Sequence, residues 1–242
     1  MLRSILFNVI YGLWTTAMHI VCLPLLLGPR SWIYAAAGLW IDVTLWLLKH
    51  VVGLDYRIVG AENLPSGPAI FASKHQSAWE TLFLSRYLHY PAFVLKKELL
   101  SIPLFGWYLR KVGMIAIDRK AGASALRNMT RQSAEIFAQD RSLLIFPEGT
   151  RVAPGQQRPY QPGIAGLYGQ LKVPVVPVAL NSGLFWGRRS FVKKPGTITV
   201  AFLPAIQPGL DRKALMRDLE SRIETAATAL ARTADPGLSH GG

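Results

Sequence analysis

Residues 69–80 read AIFASKHQSAWE, an apolar run from Ala69 to Ser73 that stops at Lys74, His75 and Gln76. The run is short and ends in a polar cluster, which predicts a buried strand and a turn. The stretch at about 77–88 then reads as a helix. Working outward, the same kind of run recurs at 55–59 (DYRIV), 92–95 (AFVL), 113–117 (GMIAI), 142–146 (SLLIF), 175–180 (VVPVAL) and 197–202 (TITVAF). Further helical stretches lie at about 122–139, 163–171 and 211–232. Strands interleaved with helices predict an α/β fold, a layered mixed sheet of about seven strands flanked by helices. The last helix repeats Leu215, Leu219, Ile223, Ala226, Ala227 and Leu230 near 3.6 spacing, so one face should pack on the sheet.

Upstream of this domain the composition changes. Ser4 to Leu27 is an apolar run of 24 residues with no Asp, Glu, Lys or Arg, long enough to cross a bilayer as a helix. Gly28, Pro29 and Arg30 break it, and a second apolar stretch carrying Asp42 runs from Ser31 to about Leu48. The expected organisation is a membrane-associated helical hairpin at 1–53, an α/β domain at 54–232 and a flexible tail at 233–242. The hairpin either spans twice or dips and returns, with Trp14, Trp32, Trp40 and Trp46 suited to the membrane interface. A cleaved signal peptide fits poorly, because the first run is long and a second apolar helix follows it. Lys and Arg number 27 against 14 Asp and Glu, a net charge of +13. That excess suits nucleic acid, an anionic membrane or phosphorylated ligands. The apolar hairpin selects the membrane and phosphate readings and leaves nucleic acid without support. With both hairpin ends on one side, Lys49, His50 and Arg57 place the domain on the cytoplasmic face of the inner, cytoplasmic membrane. Cys22 is the one cysteine, so an intramolecular disulfide is impossible, and neither a metal site nor a bound cofactor is expected.

His75 at a strand's end and Glu80 in the next helix make a chemically useful pair. A carboxylate beside an imidazole fixes its tautomer and stabilises the imidazolium formed when it takes a proton. There is no Gly-x-Ser-x-Gly elbow, and nothing suggests a covalent intermediate. Spacing alone is weak evidence. Five His and 14 acids in 242 residues give about 0.3 such pairs by chance, and His50 with Asp55 is another. The bland reading of His50 is a polar residue closing the second apolar helix. Downstream, the run SLLIF leads into Pro147-Glu148-Gly149-Thr150-Arg151. Gly149 permits a backbone conformation closed to other residues. Arg151 offers a planar fork suited to a phosphate monoester. An ordinary surface turn with an ion pair is the bland reading of this turn. Arg188, Arg189, Lys193 and Lys194 form a basic loop that reads as a solvated face or as a contact for phosphates or an acidic carrier.

Taken in order, KHQSAWET, GMIAIDR, FPEGTR and VPVAL resemble the four motif blocks of the glycerolipid acyltransferases, the 1-acylglycerol-3-phosphate acyltransferases among them, over about residues 55–205. The resemblance implies a catalytic dyad at His75 and Glu80. It implies an acceptor site at Gly113 and Arg119 of the second block and at Glu148, Gly149, Thr150 and Arg151 of the third. It implies support for the acyl-donor side around Val176, Pro177 and Val178. The segment LKKELLSIPLFGW (95–107) is similar to the family's linker between the first two blocks, which implies a phosphate contact at Lys96 or Lys97, with Lys97, beside Glu98, preferred. The implied reaction moves an acyl group from acyl-CoA or acyl-carrier protein to a lysophospholipid acceptor. Glu80 stands where the family usually has Asp, which leaves room for another acceptor such as lyso-ornithine lipid. A basic membrane-binding module without catalysis is the rival class, and the intact His75 and Glu80 argue against it.

Overall fold

A computed structural model describes residues 1–118 and 122–235. Seven strands form one sheet: β1 (Leu54–Val59), β2 (Ile70–Ser73), β3 (Ala92–Lys96), β4 (Ile115–Ile117), β5 (Leu143–Ile145), β6 (Val175–Leu180) and β7 (Gly196–Phe202). Their order is β1-β7-β6-β2-β5-β3-β4. Strands β2 to β6 are mutually parallel, while β7 pairs antiparallel with β6 and parallel with β1, so the sheet is mixed. Every residue of β2 and of β6 is buried. That is why both read as unbroken apolar runs, since a central parallel strand is covered on its two faces.

Alternate residues serve opposite faces. Phe71, Leu144, Val176 and Val178 join a core with α3 (Trp79–Tyr87), whereas Ile70, Leu143, Ile145 and Val175 join another. The second core is closed by α5 (Gly122–Phe137), α6 (Gly163–Leu171) and α7 (Arg212–Ala234). Leu215, Leu219 and Ile223 supply the buried face of α7. Asp211 caps α7 by accepting from the backbone N–H of Lys213 and of Ala214, both at 2.8 Å.

The apolar hairpin is α1 (Leu2–Val21) and α2 (Arg30–Leu47). By length and composition, α1 and the longer helix Arg30–Val52 that continues α2 could each cross a membrane. Both arms nevertheless lie along the α/β domain. Phe7, Leu47 and Leu48 are buried in the first core. Lys193 holds the start of α1, donating its N–H to Ser4 Oγ and its ammonium to Asn8 Oδ1 at 2.6 Å. Tyr34 stacks on Tyr90 at 4.7 Å, and Arg86 forks onto Asp42 midway along α2. At the far end Arg30 donates to the Lys111 carbonyl. In α1 only Ser4 and Phe7 are buried, while α2 buries Ile33, Gly38, Ile41, Thr44 and Leu47.

A helix absent from the sequence expectation is α4 (Phe105–Lys111), which packs on the hairpin's elbow. Tyr108 donates its hydroxyl to the His19 carbonyl at 2.8 Å, and Phe105 lies beside the His19 ring. Pro103 and Gly106 obscure its helical pattern in the sequence.

Candidate active site

Because β2 to β6 are parallel, the residues that follow them gather at one edge of the sheet, where open α/β sheets place their ligands. After β2 come Lys74 and His75, after β5 the turn Phe146–Arg151, and after β6 Asn181 and Ser182. The His75 ring stacks on Phe146 with centroids 3.9 Å apart. Its Nδ1 lies 2.9 Å from Glu80 Oε1. The same oxygen accepts the backbone N–H of Gln76 at 2.8 Å and of Ser77 at 2.6 Å. An oxygen that already takes two N–H donors acts as acceptor toward the imidazole as well, so Nδ1 carries the hydrogen. The other ring nitrogen, Nε2, is left with a lone pair to take a proton. Ser182 donates to Glu80 Oε2 at 2.7 Å, and Glu80 is fully buried. The longer side chain of Glu, relative to Asp, therefore reaches His75 with both oxygens occupied.

The turn after β5 is fastened to the same place. Glu148 Oε2 accepts the backbone N–H of His75 at 2.9 Å, and the Val152 N–H donates to the His75 carbonyl at 2.8 Å. His75 is thus held on both its backbone groups by the segment that carries Arg151. Gly149 has φ +70, a conformation costly for a side-chain-bearing residue. Burial pushes the Glu148 carboxyl up to about 7, the Lys74 ammonium opposes this, and Glu224 pushes it further up. Thr150 and Arg151 are half-buried.

Other expected positions are scattered. Lys97 is exposed in a 3-10 turn after β3, at the same sheet edge. Arg119 lies outside the described residues. Gly113, with φ +70, precedes β4 and so lies at the opposite edge, where a Cβ would meet Arg30 and Arg141. The structure does not bring it to His75. His50 packs its ring on Trp46 at 4.7 Å, and Asp55 pairs with Lys49 at 2.8 Å. That pair has no geometry of a dyad. Three residues outside the motifs, Tyr160, Ser182 and Glu224, also belong to the site's framework, as does Lys74, which opens the first motif block. Ser182 had one usable signal, its place just after the VPVAL strand. Glu224 had another, an acid beside Ile223 on the buried side of α7.

Beside Phe146 and Gly149 opens a groove of ≈ 940 Å³, walled by apolar side chains that include Leu126, Met129, Ile164 and Met216. It runs between α5, α6 and α7, with Arg212, Lys213 and Arg217 also on its lining. Among the described residues no cluster of three or more His, Cys, Asp or Glu could hold a metal ion.

A family model described as Acyltransferase matches residues 55–181. A 1-acyl-sn-glycerol-3-phosphate acyltransferase of Pseudomonas aeruginosa is 39% identical over 185 residues, covering 76% of this chain and 72% of that protein. A protein of the same name from Saccharomyces cerevisiae is 32% identical over 139 residues, 56% of this chain and 46% of its own length. The match therefore spans less than half of the yeast relative. The crystal structure of the 1-acyl-sn-glycerophosphate (LPA) acyltransferase, PlsC, from Thermotoga maritima superposes with a TM-score of 0.77 at 20% identity, covering 95% of this chain and 96% of that one. At that identity the likeness speaks to the fold.

Proposed function

Because this chain belongs to the acyltransferase family, we propose that it transfers a fatty acyl group from acyl-CoA or acyl-carrier protein to the sn-2 hydroxyl of 1-acylglycerol-3-phosphate, forming phosphatidic acid for phospholipid synthesis. The observation that carries this reading is His75, oriented by Glu80 and held on both backbone groups by the turn that bears Arg151. A hydroxyl is too weak an acid to attack a thioester unaided. Nε2 of His75 accepts its proton as the oxygen bonds to the thioester carbonyl carbon. Collapse of the tetrahedral intermediate breaks the carbon–sulfur bond, and the imidazolium returns the proton to the departing thiolate. Glu80 keeps the ring in the required tautomer and opposes the transient positive charge. The apolar groove beside Phe146 has the size and lining for an acyl chain. The test is thiol release by purified enzyme supplied with an acyl thioester and 1-acylglycerol-3-phosphate. Absence of turnover with every lysolipid offered would remove the reading, and turnover with lyso-ornithine lipid alone would replace the acceptor.

Arg151 is the group proposed to hold the acceptor's phosphate. Arg151→Ala should act chiefly through a higher acceptor KM, with donor KM little changed. A charged hydrogen bond contributes about 1.5–3 kcal/mol, so kcat/KM should fall about 10- to 150-fold. Arg151→Lys should recover only part, because an ammonium lacks the fork. A rise in donor KM instead would assign this turn to the thioester.

The reaction is proposed to take place at the cytoplasmic face of the membrane. Along α1 the side chains turned away from the domain are apolar, with Leu6, Val9 and Leu13 each half or more exposed. Beside the elbow, Ile102 and, on α4, Phe105 and Trp107 are further exposed apolar side chains. Burying one aliphatic side chain contributes about 1.5–3 kcal/mol. Leu6→Ser with Leu13→Ser should therefore weaken sedimentation with anionic vesicles at least about tenfold. The melting temperature should barely change, because neither side chain is in the core. Undiminished vesicle binding would place the anchor elsewhere.

A further inference from the structure

Behind the His75 turn lies a charged cluster that the reaction as described does not use. Lys74, Glu148 and Glu224 are 2%, 2% and 8% exposed, and Tyr160 is also buried. Lys74 Nζ donates to Glu224 Oε1 at 2.7 Å and to Oε2 at 2.8 Å. Tyr160 donates its hydroxyl to Glu224 Oε1 at 2.9 Å. Glu148 Oε1 stands 3.0 Å from the same ammonium, at an angle that makes no hydrogen bond. Its other oxygen takes the backbone N–H of His75. One ammonium thus serves two buried carboxylates, and its hydrogen bonds go to the one on α7.

We propose that Glu224 on α7, together with Lys74 and Tyr160, is a positioning residue of this active site, setting through Lys74 the charge state of Glu148 and so the placement of His75. This rests on the reading of His75 as the general base. The groups that face Glu148 are Lys74 and the His75 backbone from the turn after β2, Tyr160 from the segment after β5, and Glu224 from α7, with Glu220 acting on Tyr160. Desolvation opposes a second buried negative charge beside Lys74 and raises the Glu148 carboxyl above the usual carboxylate range. Glu148 ionised is the state that pairs with Lys74 and accepts strongly from the His75 N–H. Burial raises Glu148 to about 7, so as pH falls through neutrality its carboxyl takes up a proton and its attraction to Lys74 weakens.

The direction of each substitution follows. Glu224→Gln removes the competing charge and leaves Lys74 to Glu148 alone. Its carboxyl should then ionise at lower pH, and the acid limb of kcat should move down by about 1 unit or more. Tyr160→Phe removes a hydrogen bond that Glu224 now receives. Lys74 is then drawn more fully to Glu224, and the limb should move up. A residue that serves only to hold α7 in place lowers activity and melting temperature without moving the limb, and cannot move it in opposite senses.

The experiment measures the pH profile of kcat for the wild type and both variants. It is paired with infrared titration of the buried protonated carboxyl band, identified by its loss in Glu148→Gln. The infrared reading needs no substrate, so it separates failure of this proposal from failure of the proposed acceptor. A band midpoint that falls in Glu224→Gln and rises in Tyr160→Phe, with the kinetic limb following, is the expected result. If Glu224→Gln does not fold, the upward shift in Tyr160→Phe still decides. A band midpoint and limb unmoved in the folded variants would overturn the proposal, as would a moving band with a fixed limb.

Discussion

His75→Ala should lose about 10²–10⁴-fold in kcat, the range that general-base help supplies, with acceptor and donor KM nearly unchanged. The ring makes one hydrogen bond and one stacking contact, to Glu80 and to Phe146. The backbone bonds to Glu148 and Val152 do not depend on it. The turn should therefore survive the truncation, and binding with it. Loss of kcat alone is the signature of a group used in the transition state and not in the ground state. His50→Ala is the control, because His50 also stands five residues before an acid. Its ring packs on Trp46 and its would-be partner is taken by Lys49, so the variant should keep wild-type turnover. An inactive His50 variant beside an active His75 variant would exchange the two assignments.

How far the sequence could be read depended on whether a residue's role was local. The strands of the sheet were legible because each buried strand is a short, nearly pure apolar run bounded by polar residues. VVPVAL maps onto β6 without a shift, and DYRIV falls short of β1 by the single residue Leu54. The segment around α4 was not legible. Leu104 has φ +61 and Pro103 precedes it, so no propensity marks the helix start. What holds α4 is its contact with the hairpin elbow, 89 positions away from Tyr108 at His19. The hairpin itself was legible as two apolar helices. Its posture was not, because the residues that grip it, Arg86, Tyr90 and Lys193, lie in other elements.

The site divides in the same way. His75 and Glu80 lie within one strand–turn–helix, and their pairing follows from spacing and chain direction. Glu148 was legible from its turn, but its bond to the His75 N–H joins residues 73 apart. Ser182 reaches Glu80 across 102 positions and Lys74 reaches Glu224 across 150. Parallel pairing of β2 with β5 and β6 creates those meetings. The sequence predicts the strands, but their order in the sheet decides which strand-end residues become neighbours. Gly113 shows the reverse case. It belongs to a motif block yet precedes its strand, and the topology sends it to the opposite edge.

Glu80→Gln is expected to be the second most damaging change, and its cost should fall on kcat. Glu80 Oε1 accepts three N–H groups, from His75, Gln76 and Ser77, and Oε2 accepts the Ser182 hydroxyl. A glutamine has one orientation that preserves most of this. Its amide oxygen takes the three N–H groups, and its amide nitrogen turns to Ser182, whose hydroxyl rotates to accept. The fold and the histidine tautomer should therefore persist. The negative charge beside the ring does not. Two unit charges about 4 Å apart attract by about 4 kcal/mol at an effective dielectric of about 20, which bounds what the imidazolium loses. That corresponds to a fall in kcat of about 10²–10³-fold, with acceptor KM unchanged. Glu80→Asp keeps the charge but is one methylene short of the oxygens' present positions. It should retain more activity than the glutamine variant, since three N–H donors remain to draw the carboxylate toward His75. Steady-state kinetics of the two variants, with melting temperatures to confirm folding, decide the point. Equal turnover for the wild type and the Glu80→Gln variant would show that the carboxylate's charge plays no part in the proton transfer.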